Sequence, residues 1–129
     1  MKFLLLIHNN AEALEQYTHE QLMEMSGGRE QVAATARELR DSGELVSIVN
    51  LGEPTASKEL QFVGGTPVIS DRPLLETKEY LAGALLLDCA SFERVVELAA
   101  RIPLVEFRRV EIRPVLATED DFYAELDQS

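Results

Sequence analysis

Tryptophan is absent from this chain, cysteine occurs once, and histidine occurs twice among 129 residues. One thiol, Cys89, closes no intramolecular disulfide, which suits a reducing compartment and leaves packing to hold the fold. His8 and His19, with that distant thiol, lack the ligand spacing of a zinc site. A glycine-rich phosphate loop, a Gly-x-Ser-x-Gly elbow and a calcium loop are missing too, so neither a metal nor an organic cofactor is expected. Bases are scarce: 12 Lys and Arg stand against 23 Asp and Glu, a net charge of −11. Phosphate backbones are bound by concentrated bases, so no nucleic-acid partner is expected. The longest apolar runs, Phe3 to Ile7 and Leu81 to Leu87, fall far short of the ~20 residues that span a bilayer, so no membrane partner is expected. The first residues also lack a signal-peptide core and cleavage site, and the expected location is cytoplasmic.

The remainder reads as one globular unit over residues 1–117, followed by an acidic C-terminal tail over 118–129 carrying Glu119, Asp120, Asp121, Glu125 and Asp127. Lys2 to His8 is too uniformly apolar for a half-exposed strand and fits a central one. Thr18 to Asp41 spaces Leu22, Met25, Val32, Ala36 and Leu39 along one helical face, closed by Gly43 at C′ and weakened at Gly27-Gly28. Glu44 to Gly52 reads as a strand stopped by Pro54, and Glu59 to Val63 with Pro67 to Ser70 flank a Gly64-Gly65-Thr66 hairpin turn. Tyr80 to Cys89 is the second central strand. Ser91 caps a helix with Phe92, Val95, Val96, Ala99 and Ile102 on its apolar face. Glu106 to Val115 alternates Arg109, Glu111 and Arg113 against Val110 and Ile112, a strand with one wet face.

The order β-α-β-hairpin-β-α-β is the split βαβ pattern of an α+β, ferredoxin-like domain: an antiparallel sheet with two helices on one face and spatial strand order 4-1-3-2. Such a sheet leaves its other face open, and a second copy of the chain is an economical cover, so a homodimer is expected.

The charged turn from Asp71 to Glu79 resembles the Asp-Gly-Pro-Phe-Ala-Glu-Thr-Lys-Glu signature of the DGPF branch of the YCII-related proteins. Asp71, Pro73, Glu76, Thr77, Lys78 and Glu79 match, while Arg72, Leu74 and Leu75 replace Gly, Phe and Ala. The resemblance runs from Met1 to about Val115. It implies the same ferredoxin-like fold, the back-to-back dimers of the dimeric α/β-barrel superfamily, and no fixed reaction. It also implies a catalytic pair of a helix His and an Asp near that helix's end. Asp41 aligns with the Asp, but Ala33, Ala34 and Ala36 occupy the helix where the His belongs.

Among candidate residues, His8 ends a central strand in line with Leu4 and Leu6, either as an acid–base group or as a boundary histidine bonded to a loop. Asp41 is a catalytic candidate or a surface partner of Arg37 or Arg40. Arg29 shares the stripe of Leu22 and Val32 and presents a fork to a ligand carboxylate, or lays its stem on apolar surface. Asp71, Glu76 and Lys78 line a pocket mouth in one reading and make structural turn and cross-strand pairs in the other. The function expected is binding of a small organic molecule in a helix–sheet crevice, with cofactor-free elimination or isomerisation chemistry. The alternative is a non-catalytic binding or regulatory protein linked to sigma-factor-dependent transcription.

Overall fold

The computed structural model describes residues 1–52, 54–71, 79–104 and 107–128. Its elements run β1 (Lys2–Asn10), α1 (Ala11–Glu15), α2 (His19–Met25), α3 (Arg29–Asp41), β2 (Leu45–Asn50), β3 (Glu59–Val63), β4 (Thr66–Ser70), β5 (Glu79–Asp88), α4 (Phe92–Ala99), β6 (Arg108–Pro114) and α5 (Glu119–Asp127). A 3₁₀ turn at Pro54–Ala56 follows β2. The main sheet has four strands in the order β2-β5-β1-β6, every pairing antiparallel, and β3-β4 form a separate two-stranded sheet. This is the ferredoxin-like α+β arrangement, with the two most apolar runs, β1 and β5, in the middle.

The alternation of β1 divides the molecule. Phe3, Leu5 and Ile7 point to one face and are buried with Leu85 and Leu87 of β5. Val95, Leu98 and Ala99 of α4 seal that face, with Ile102 in the turn beyond the helix. The hydroxyl of Ser91 caps α4 by accepting from the Arg94 N–H at 3.2 Å. Leu4, Leu6 and His8 point to the opposite face.

One long helix over Thr18–Asp41 is not what forms. Gly27 and Gly28 both adopt φ of 91°, a left-handed region that favours glycine, and the chain divides there into α2 and α3. Each piece has its own start: Thr18 and Gln21 make a capping box on α2, and Gly28 is the N-cap of α3. Gly43, with φ of 79°, follows the α3 C-cap as its sequence position requires. Within the acidic C-terminal segment, Glu119–Asp127 forms helix α5. Thr118 and Asp121 form its capping box, and the N-terminal acids complement the helix dipole.

A charged clamp fixes α4 to the start of β2. Arg94 donates from Nε and Nη2 to the two carboxylate oxygens of Glu44 at 2.9 and 2.8 Å. This fork holds the Glu44 carboxyl down to about 2 from its ordinary 4.5, with Ser42 and the buried thiol of Cys89 adding hydrogen bonds. Burial, followed by the charge of Glu44, pushes the Cys89 thiol up, which keeps it protonated and inert.

Because the folded pKa of Glu44 lies below the unfolded one, the clamp's contribution is complete above pH 4.5 and fades as pH falls toward 2. Glu44→Gln is therefore expected to lower stability by roughly 1–2 kcal/mol at neutral pH. Urea unfolding of both proteins at pH 7, 5, 4 and 3 should show this difference narrowing along the acid limb. A constant difference would assign the effect to something other than ionisation.

Candidate functional site

The two helices on the sheet cover it unequally. Helix α4 contributes fully buried side chains, whereas α3 buries none. The α3 residues that look toward the sheet are Val32, Thr35, Ala36 and Leu39, and three of these are too short to fill the gap beneath them. The result is an apolar chamber of about 160 Å³, floored by Leu5, Ile7, Leu85 and Leu87 and flanked by Leu98 and Ile102. Arg101, also on its lining, donates to Glu38 at 3.2 Å and ties α3 to the turn after α4.

Toward the other end the chamber meets a second, open hollow of about 530 Å³, and Ile7, Asn50 and Arg108 belong to the walls of both. The second hollow adds His19, Met23, Asn9 and Tyr80, so an apolar chamber adjoins a more polar mouth across these shared walls. Three of the mouth residues form a transverse row. Tyr80 of β5 pairs with Asn9 of β1, and Asn9 pairs with Arg108 of β6, so all three side chains share the helix face. Tyr17 and Phe107 pack with ring centroids 5.9 Å apart, joining the segment after α1 to the start of β6.

Gly83 lines the polar hollow. A Cβ there would come within 2.6 Å of the Val49 carbonyl oxygen, so the close approach of β2 needs the bare backbone. The β1–β5 register slips beside it: Ile7 pairs with Gly83 and His8 with Leu81, leaving Ala82 as the extra residue of a bulge.

The polar groups at the mouth are incompletely satisfied. Arg108 is half-buried, its Nε is sealed from solvent, and among the described residues that nitrogen has no hydrogen-bond partner. The Oδ1 of Asn9 is orphaned in the same way. Burial pulls the Arg108 guanidinium below its ordinary pKa, with the nearby Tyr80 working in the opposite direction.

His8 faces away from this crevice. It lines an open basin of about 670 Å³ on the other side of the sheet, opposite Arg109 in register and with Glu79 and Leu81 nearby. Arg109 Nε donates to Glu79 at 2.7 Å in that basin. Asp41 is exposed at the end of α3 and accepts from Arg40 Nε at 3.4 Å. Arg29 is the exposed first residue of α3, because the helix break ends the stripe that aligned it with Leu22. Asp71 is exposed and 3.7 Å from Lys58. Glu76 and Lys78 lie outside the described residues. His8, Asp41, Arg29 and Asp71 are thus not brought to a common pocket. Among the described residues, no group of three or more His, Cys, Asp and Glu is arranged to hold a metal ion, and no helix is long and apolar enough to cross a membrane.

Arg108, Asn9 and Tyr80 carry the mouth, and sequence reasoning passed over them as site residues. The signal was available in the alternation: if Arg109, Glu111 and Arg113 are wet, Arg108 shares the dry face of Val110 and Ile112. Asn9 likewise continues the Phe3, Leu5, Ile7 series.

A ferredoxin-like α+β domain with a crevice between its helices and its sheet is the class these features define. The family model of the YCII-related domain matches residues 1–119, and the chain belongs to that family. An uncharacterised protein of Rhizobium meliloti is 34% identical over 68 residues, covering 53% of this chain and 55% of that protein. The chain thus spans about half the length of the curated relative it matches.

Proposed function

We propose that this protein binds a small organic molecule in the helix–sheet crevice, as a homodimer and without a cofactor. One observation carries the reading: an apolar chamber adjoins a mouth where a guanidinium nitrogen and an amide oxygen lack hydrogen-bond partners among the described residues. Concave apolar space with a few convergent polar groups is the usual form of a small-ligand site. The turn from Asp71 to Glu79 supports a place in the DGPF branch of the family, and the lone buried thiol supports a cytoplasmic location.

A thermal-shift screen with small organic acids, alcohols and amides tests the reading, since a ligand at 100 times its Kd stabilises by about 2.7 kcal/mol. Ile48 on the edge strand lines the chamber and is itself exposed, so Ile48→Trp should occlude the space and leave the unliganded protein folded. The expected result is a ligand-induced rise in midpoint that Ile48→Trp abolishes. A rise that survives in this variant would locate the ligand elsewhere.

A second reading puts proton transfer on the opposite face, favoured by the basin that gathers His8, Glu79 and Arg109. An imidazole beside an ion pair is suited to acid–base work near neutral pH. Where a substrate is turned over there, His8→Ala should lower the rate by about 10²–10⁴-fold with the fold intact by circular dichroism. Turnover at the wild-type rate would remove His8 from the chemistry.

Two features support the homodimer. The face bearing Leu4, Leu6 and Leu86 lies opposite α3 and α4, and the β3–β4 hairpin exposes Leu60, Phe62, Val63, Val68 and Ile69. An isolated hairpin of this kind is marginal in water without further packing. Sedimentation at micromolar concentration should give a dimer, and Leu6→Asp, which puts a charge in the centre of that face, should give a monomer. A monomeric wild type would refute the arrangement.

A further inference from the structure

We propose that the crevice selects a small monocarboxylate, with an apolar body the size of one six-membered carbon ring in the chamber and the carboxylate held by Arg108. The inference rests on the crevice being a ligand site and adds the class of ligand.

Arg108 stands apart from the other described arginines. Arg40, Arg94, Arg101, Arg109 and Arg113 each meet a carboxylate within 3.4 Å, and Arg29 and Arg37 are exposed to water. Arg108 is half-buried with its Nε sealed from water, and it pairs with no carboxylate among the described residues, although the chain carries 23. A half-buried guanidinium left unmatched in so acidic a protein is arranged for an anion that arrives from outside. The chain builds the required geometry elsewhere, where Arg94 uses Nε and Nη2 to grip both oxygens of Glu44. In Arg108 the Nε is sealed, so an arriving carboxylate meets the Nη edge of the guanidinium.

The neighbours define the rest of the head group. Asn9 lies directly across from Arg108 in the register, and its amide can present either its oxygen or its NH₂ to the same space. Tyr80, on the far side of Asn9, supplies a phenol. One guanidinium, one amide and one phenol suit a planar monoanion, whereas a phosphate dianion asks for more bases than this mouth has. The net charge of −11 further disfavours a multiply charged anion. The chamber of about 160 Å³ fixes the body. An engineered apolar cavity of ~150 Å³ in another protein stays dry and takes up benzene, which gives the scale.

The matched probes are benzoate and its neutral counterpart benzyl alcohol, titrated calorimetrically into the full chain with acetate as a control for ionic strength. Benzoate is expected to bind at least 10-fold more tightly than the alcohol. Arg108→Met should weaken benzoate by about 10–100-fold and leave the alcohol unchanged, the loss typical of a charge-assisted hydrogen-bond pair. Arg108→Met should also raise the unliganded thermal midpoint by removing a sealed, unpartnered donor, where loss of a merely structural arginine would lower it. Arg108→Lys, which keeps the charge without the fork, should bind benzoate with intermediate affinity.

Equal affinity for the two probes, with Arg108→Met changing neither, overturns the carboxylate assignment while leaving the crevice as the site. Benzoate binding that survives Arg108→Met and is lost in Ile48→Trp overturns the anchor alone. If neither probe binds the wild type at millimolar concentration, the ligand class falls. The crevice reading falls separately if every ligand found in the broader screen binds undiminished to Ile48→Trp.

Discussion

The central position of β1 is the constraint on which the rest of the structure depends. It pairs with β5 on one side and β6 on the other, so its side chains can leave only above or below the sheet. Phe3, Leu5 and Ile7 are committed to the helices by burial. Once they are, Asn9 must follow them and Leu4, Leu6 and His8 must take the other face. A slip of one residue would reverse every assignment, and the burial of Leu5 and Leu87 opposes it. The bulge after Ile7 works within this limit. It absorbs Ala82 on β5 and keeps Tyr80 aligned with Asn9, which holds the mouth of the crevice together.

A fully packed ferredoxin-like domain would have no room for a ligand. Here the room comes from division of labour between two helices. Helix α4 is capped by Ser91, clamped through Arg94 and Glu44, and buried through Val95, Leu98 and Ala99, so it supplies much of the core. Helix α3 is held at its far end by the Arg101–Glu38 pair and presents short side chains to the sheet. Ala36, one of the alanines where the resemblance would place a histidine, takes part in this. It lines the chamber, so a stretch expected to carry an imidazole contributes empty space instead. Beyond the break at Gly27-Gly28, α2 brings His19 and Met23 to the mouth.

Strand order, the hairpin, the Ser91 cap and the wet face of the last strand were legible because each rests on a strong local signal: apolar runs, a Gly-Gly turn, a capping residue, strict alternation. Whether the helix continues through Gly27-Gly28 was not legible, because spacing of three and four continues across the glycines whether or not the helix does. Leu22 and Val32 fit one pattern while belonging to two helices. The acidic residues after 118 obscured a helix whose start is written in Thr118 and Asp121. The candidate site was harder to see for a different reason. Charged residues drew attention to Asp41, Asp71 and Arg29, which lie at the surface, whereas a pocket is defined by what neighbouring strands place in one row. Tyr80, Asn9 and Arg108 are far apart in sequence, and only the register unites them.

The two faces of β6 show how the same residue type serves opposite ends. Arg109 and Arg113 lie on the open face and are matched to Glu79 and Glu111. Arg113 holds the Glu111 carboxyl below its ordinary range, so that face carries balanced charge. Arg108, one position away, lies with Val110 and Ile112 on the face packed against the core, where desolvation favours a neutral or paired group. Its backbone is fixed by pairing with Asn9 and its facing direction by the burial of its neighbours, so the guanidinium cannot join its matched companions by rotating the strand. The charge therefore stays half-buried at the crevice mouth, where an incoming anion would meet it with less competition from water than at any of the exposed arginines.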